Sequence, residues 1–333
     1  MHLADSIGSA PAKLILCGEH AVVYGRPAIA LPLDGIRARA RVRPGPPQSG
    51  VVVFASSLRR RWCVADDPNT PLNELILSTI GQLAPGPLPD LRISIRSGIP
   101  IASGMGSGAA VATAIVRALA GSFGQALPAA AVSSMVYASE QRFHGTPSGI
   151  DNTVIAFEQP IWYIRPPAVG DAARPAPIIQ PASIAAPFTL LVGDTGVRSP
   201  TRAPVGEVRA RWQASTTAYN CLFDDVALLA YRIRDCLAAG TISELGPLLS
   251  QNHALLQQIG VSSPELDTLV AAAMRAGALG AKLSGAGWGG VMLALATPET
   301  APRIAYALKA AGARRVFETT VAPYSGAPAP DTV

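Results

Sequence analysis

Between Leu91 and Leu119 the hydrophobic period of the chain changes. Leu91, Ile93 and Ile95 alternate with Arg92, Ser94 and Arg96, the period of a strand with one face in water. Ala109 to Leu119 is an apolar stretch of helical length, interrupted only by Thr113 and Arg117. Joining them, Gly98 to Gly108 is rich in small residues and contains Pro100-Ile-Ala-Ser-Gly-Met-Gly-Ser-Gly-Ala109. Glycines let backbone N–H groups turn toward a bound anion without side-chain obstruction. The helix N-terminus behind them adds unpaired donors and partial positive charge, which is what a triphosphate needs. No Gly-Lys-Ser/Thr follows, so this is not a Walker loop. A tight strand-to-helix turn without a ligand would carry the same pattern.

The rest of the chain reads as α+β in both halves. Strands are predicted at 13–17, 28–33, 36–43, 51–55, 62–64 and 91–96, and helices at 72–83, 109–119 and 128–142. Within 36–43, Ile36, Ala38, Ala40 and Val42 share one face, and Arg37, Arg39, Arg41 and Arg43 form a solvated stripe on the other. Residues 165–187 are rich in Pro and Ala with weak periodicity, which predicts domains at 1–185 and 186–325. The second half opens with a strand at 188–192 and continues through helices at 203–239, 242–259 and 264–277. A glycine-rich loop at 282–290, a strand at 291–296, a helix at 301–311 and a strand at 315–321 complete it.

Composition excludes some classes. Hydrophobic residues make up 49% and charged residues 15%, the balance of a folded globular chain. No apolar stretch approaches the roughly 18 residues of a membrane span. Met1 to Ala12 lacks the features of a secretory signal, so a cytoplasmic protein is expected. Formal net charge is +5, but the arginines are scattered without interleaved aromatics, which argues against a nucleic-acid partner. Of the 27 basic residues only Lys13, Lys282 and Lys309 are lysines. Where such a chain keeps lysine, a compact ammonium is wanted specifically. The four cysteines are far apart, without metal or redox spacing.

Three further segments carry chemistry. In Glu140-Gln-Arg-Phe-His-Gly-Thr-Pro-Ser-Gly-Ile-Asp151-Asn152, a carboxylate near a helix end precedes another by 11 residues. Phosphoryl transfer needs one acid to hold Mg²⁺ and one to orient or deprotonate the attacking hydroxyl. A helix-end Glu and a capping Asp would leave the same trace. In Pro11-Ala-Lys13-Leu-Ile-Leu-Cys-Gly-Glu19-His20-Ala-Val-Val-Tyr-Gly25, a lysine enters a buried strand, which is costly unless it is paired or functional. Gly280-Ala-Lys282-Leu-Ser-Gly-Ala-Gly-Trp-Gly-Gly290 holds five glycines, the mark of backbone approaching backbone or ligand closely.

These four segments, in this order, resemble the kinase superfamily of galactokinase, homoserine kinase, mevalonate kinase and phosphomevalonate kinase, over about Pro11 to Gly290. The Pro11-to-Gly25 and His144-to-Asn152 segments look like the mevalonate kinase family. The resemblance implies an N-terminal domain like the second domain of ribosomal protein S5 and a ferredoxin-like C-terminal domain. It implies ATP-dependent phosphorylation of mevalonate to 5-phosphomevalonate in isoprenoid precursor synthesis. A related kinase acting on phosphomevalonate or another hydroxyl of mevalonate, or a non-catalytic nucleotide-binding homologue, is the alternative. Pro100, Ser103, Gly104, Met105, Gly106, Ser107, Gly108 and Ala109 would bind ATP. Glu140 and Ser107 would hold Mg²⁺, Asp151 and Lys13 would be catalytic, and Glu19, His20 and Thr195 would meet mevalonate. Asn73 falls where the family meets the nucleobase, and a homodimer is compatible with the family. One departure matters: Gly108 stands where the family places a serine expected to touch Mg²⁺.

Overall fold

The structure, a computed structural model, describes residues 3–144, 147–167 and 175–326, without the side chains of residues 143 and 144. Gly145 and Thr146 of the predicted catalytic segment lie outside the described residues, as does 168–174 of the predicted boundary. Backbone contacts group the chain into two compact units. The first is Met1–Lys13, Pro32–Ile101 and Gly106–Glu158; the second is Leu14–Leu31, Ala102–Met105 and Gln159–Val333.

In the first unit, β2 (Pro27–Pro44) pairs antiparallel with β5 (Leu91–Ser97), β5 parallel with β3 (Val51–Ala55), and β3 antiparallel with β4 (Arg60–Cys63). Sequence alternation predicts two strands over 28–43, yet β2 is one strand passing straight through Asp34 and Gly35. Ala38, Ala40 and Val42 are buried, while Arg39, Arg41 and Arg43 are exposed as predicted. Arg37 differs. Together with Arg117 it binds Glu158, and its Nε donates to Ser9 Oγ at 2.8 Å. The helices are α1 (Pro71–Leu83), α2 (Ser107–Ser122), α3 (Ala129–His144) and α4 (Ile150–Phe157). α2 packs against α1, α3 and α4. β1 (Ser6–Cys17) passes so close to α2 that a Cβ on Gly8 would stand 2.1 Å from the Ala114 carbonyl oxygen.

In the second unit, β8 (Phe188–Asp194), β9 (Gly280–Ser284), β10 (Val291–Ala296) and β11 (Arg315–Val321) form an antiparallel sheet in the order β11-β8-β10-β9. β10 is buried at every position, as expected of a central strand. Residues 282–284, predicted as loop, are strand: the register sets Lys282 against Leu293. Gly280 belongs to β9 and the other four glycines start at Gly285, so the turn is shorter than their spread suggests. β6 (Ile161–Ile164) and β7 (Ile178–Pro181), which weak periodicity hides, pair with each other, and β6 also pairs with Pro27–Ala30 of β2. The helices are α5 (Arg202–Ala214), α6 (Thr216–Ala239), α7 (Ile242–Ile259), α8 (Pro264–Arg275) and α9 (Ala301–Ala310). The predicted helix over 203–239 is broken at Ser215, in the polar run Ser215-Thr-Thr217, whose hydroxyls compete for helix backbone groups. Thr216 Oγ1, for one, donates to the Trp212 carbonyl at 3.0 Å.

Candidate active site

In the first unit the predicted ammonium and carboxylates converge. Lys13 Nζ lies 3.0 Å from Asp151 Oδ1, with side chains 3% and 35% exposed. Asp151 stands in the first turn of α4, although Pro147, Ser148 and Gly149 just before it carry turn signals. That turn is held from two sides. Asn152 Nδ2 donates to Ser133 Oγ at 2.8 Å and to the Ser133 carbonyl at 3.2 Å, and Thr153 Oγ1 donates to the Gly149 carbonyl at 2.6 Å. A carboxylate in the first turn of a helix is favoured by the helix dipole. Burial, and then the charge of Asp151, push the Glu140 carboxyl up to about 7 against the pull of Lys13. The three groups are therefore one electrostatic system.

The glycine-rich segment is explained position by position. Gly106 caps α2 at φ 71°, and a Cβ there would stand 2.7 Å from Ile155 Cδ1 and 3.0 Å from Lys13 Cγ. Only glycine lets the backbone lie on the lysine stem. Ser107, Gly108 and Ala109 open the helix, so their N–H groups lack intrahelical partners. A Cβ on Gly108 would stand 3.2 Å from Glu140 Oε1. Pro100, Met105 and Ala109 are buried, and their side chains pack inward.

Beside this helix N-terminus lies a cavity of about 230 Å³. Trp62, Leu72, Val111, Ser107, Gly108 and Glu140 are among its lining residues. Asn73 does not line it. Asn73 is 2% exposed, accepts from Trp62 Nε1 at 3.0 Å and donates to the Asp67 carbonyl at 2.8 Å, so it fixes the tryptophan. No sequence signal pointed to Trp62, because its partner lies on the far side of a loop.

In the second unit, Gly18-Glu19-His20 leaves β1 against β9 and the turn after it. The buried Lys282 ammonium donates to the Glu19 carboxylate and, at 2.6 Å, to the Leu283 carbonyl. Ser284 Oγ accepts from the Ile15 N–H at 3.0 Å and donates to the Ile15 carbonyl at 2.9 Å. His20 Nε2 lies 2.9 Å from the Ala286 carbonyl, and because a carbonyl can only accept, that nitrogen carries the proton. Burial lowers the His20 imidazole to about 4 despite that hydrogen bond, so it is neutral near pH 7.

Other predicted residues of this unit surround the same turn. Cβ atoms on Gly104 and Gly290 would stand 3.3 Å from the Ser284 carbonyl oxygen and 2.6 Å from that of Ser103. Thr195 donates through its N–H at 2.9 Å and its hydroxyl at 2.8 Å to the Gly290 carbonyl. Asp194 is fully buried, which raises its carboxyl, but the Arg198 fork at 2.7 Å and the Gly196 N–H at 3.0 Å outweigh this and hold it below its ordinary value. The sequence signal for Lys282 was lysine scarcity alone.

Among the described residues no group of three or more His, Cys, Asp or Glu could enclose a metal. The residues present suit an ion that keeps water ligands and takes few from protein: a carboxyl whose raised proton affinity marks a place for positive charge, beside a hydroxyl.

The chain is similar to known proteins over most of its length. Residues 74–159 match the GHMP kinases N terminal domain, and residues 233–314 match GHMP kinases C terminal. A mevalonate kinase of Thermococcus sibiricus is 32% identical over 92% of this chain and 93% of its own. One of Pyrococcus furiosus is 33% identical over the same shares. Among solved structures, L. major mevalonate kinase in complex with R-mevalonate superposes with a TM-score of 0.80 at 29% identity, covering 97% of each chain.

Proposed function

The chain belongs to the GHMP kinase family, with mevalonate kinases as its relatives, and on that premise we propose that it transfers the γ-phosphoryl group of ATP to the 5-hydroxyl of mevalonate, giving 5-phosphomevalonate. The observation that carries the reading is the Lys13–Asp151 contact beside Glu140. Asp151 orients the acceptor hydroxyl or takes its proton, and Lys13 stabilises the charge that develops on that oxygen. A nucleotide sensor would need neither group.

The N–H groups at the start of α2 and the glycines before it suit the phosphates. The apolar cavity beside them suits the adenine ring. Glu140 and Ser107 would hold Mg²⁺, which when bound neutralises charge on the phosphate oxygens. Gly108 contributes no hydroxyl, so water would fill more of the places around the ion. Glu19, His20 and Thr195 are assigned to the acceptor: a neutral imidazole and a carboxylate suit a polyhydroxylated acid better than an apolar alcohol.

Two finer points belong to this reading. Residues 1–185 form the domain like the second domain of ribosomal protein S5, and residues 186–325 the ferredoxin-like domain. The four-stranded sheet lying within 188–321 and the separate family matches support that division. The enzyme acts in the cytoplasm, consistent with there being no helix among the described residues long and apolar enough to cross a membrane.

A coupled ADP-release assay with mevalonate, phosphomevalonate, galactose and homoserine tests the function. Turnover is expected with mevalonate. None at millimolar mevalonate, or faster turnover of another acceptor, defeats the assignment.

A further inference from the structure

Lys282 has no part in the phosphoryl-transfer reading, yet it is fully buried and one of only three lysines in the chain. Taking an ammonium and a carboxylate out of water is expensive, and an apolar pair of similar volume often gives equal or greater stability. Stability alone is therefore a poor reason for the Lys282–Glu19 pair.

Its geometry supplies a better one. Residues 282, 284 and 286 alternate, and each makes a rung to the end of β1 or to the turn that leaves it. Lys282 Nζ binds the Glu19 carboxylate; Ser284 Oγ bridges the N–H and carbonyl of Ile15; the Ala286 carbonyl receives His20 Nε2. His20 sits at φ 61°, a left-handed conformation that a side chain adopts only when its surroundings hold it there. With the proton on Nε2, the other imidazole nitrogen is an acceptor.

We propose that Lys282 is a positioning residue for the acceptor substrate: by anchoring Glu19 it holds the Gly18–His20 turn so that His20 offers Nδ1 as a hydrogen-bond acceptor to a substrate hydroxyl. The inference rests on the mevalonate reading for its substrate but not for its geometry.

Two measurements test it, on Lys282→Met, on Lys282→Arg and on the paired variant Glu19→Leu with Lys282→Met. The paired variant keeps the question open to test if the single changes fail to fold. The first measurement is steady-state kinetics. Lys282→Met or the pair should raise KM for mevalonate by about tenfold or more while KM for ATP stays within about twofold, since displacement of a binding group by an ångström is that costly. Lys282→Arg should not rescue, because a planar fork cannot reproduce a point charge in a closed site. A folded pair variant with wild-type KM for mevalonate, or equal rises in both KM values, overturns the proposal.

The second is the ¹⁵N signature of the His20 imidazole, assigned by its loss in His20→Asn. Wild type should show the Nε2–H tautomer, and loss of Lys282 should give a mixture. An unchanged tautomer overturns the proposal whatever the substrate. Failure of the wild type to phosphorylate mevalonate, with the tautomer shift present, defeats only the substrate reading.

Discussion

Asp151 and Glu140 are both carboxyls near one ammonium, and their surroundings separate their tasks. Asp151 touches Lys13 at a helix N-terminus, where an anion is favoured. Glu140 is raised to about 7 by burial and by Asp151, so without a metal it binds a proton more tightly folded than unfolded. The stabilising effect of that proton is complete below about pH 4.5 and disappears as pH climbs through about 7. The metal-free protein should therefore lose Tm between pH 5 and 8, and Glu140→Gln should flatten the loss; identical pH profiles for the two would contradict the assignment. A metal competes with the same proton. The Mg²⁺ concentration for half-maximal nucleotide binding should rise below pH 7, approaching about tenfold per pH unit, and level off above it. Asp151→Asn should lower kcat by about 100-fold or more while calorimetry still shows ATP binding; near-normal turnover would remove Asp151 from the chemistry.

At the level of elements, neighbouring glycines serve different ends. Gly106 sits at positive φ, with Ile155 and the Lys13 stem where a Cβ would go. Gly106→Ala should cost about 2 kcal/mol in urea unfolding through strain and overpacking. Gly108 has only the end of a flexible Glu140 side chain as neighbour, so Gly108→Ala should cost well under about 1 kcal/mol. Equal losses at the two positions would refute this account of the loop. The strand-glycine-helix run was legible because the period changes from two to 3.6 within one segment. α4 was not: Pro147, Ser148 and Gly149 read as a continuing loop, and the helix forms in eight residues because Asn152 docks on α3. β9 was masked in the same way, since small residues at Gly280, Ala281 and Ser284 look like turn until β10 pairs with them.

For the molecule as a whole, ligand binding is the clearest reporter of an assembled site. ATP with Mg²⁺ at 100 times its Kd should add about 2.7 kcal/mol to stability, and a Tm rise of a few degrees should survive in Asp151→Asn. Absence of any shift in the wild type would show that the nucleotide has no folded site on this chain.

By itself the sequence determined the alternation of strands and helices, the glycine positions that free backbone N–H groups, and the residue types available for phosphoryl transfer. Those features follow from sterics and hydrogen bonding within a few residues, so they are written locally. Tertiary structure alone decided that Lys13 meets Asp151, that Lys282 meets Glu19 across 263 residues, that Asn73 braces Trp62, and that Glu140 holds its proton to about pH 7. Each of these depends on how deeply a charge or dipole is buried and on what stands a few ångströms away, and neither quantity exists until distant segments have packed.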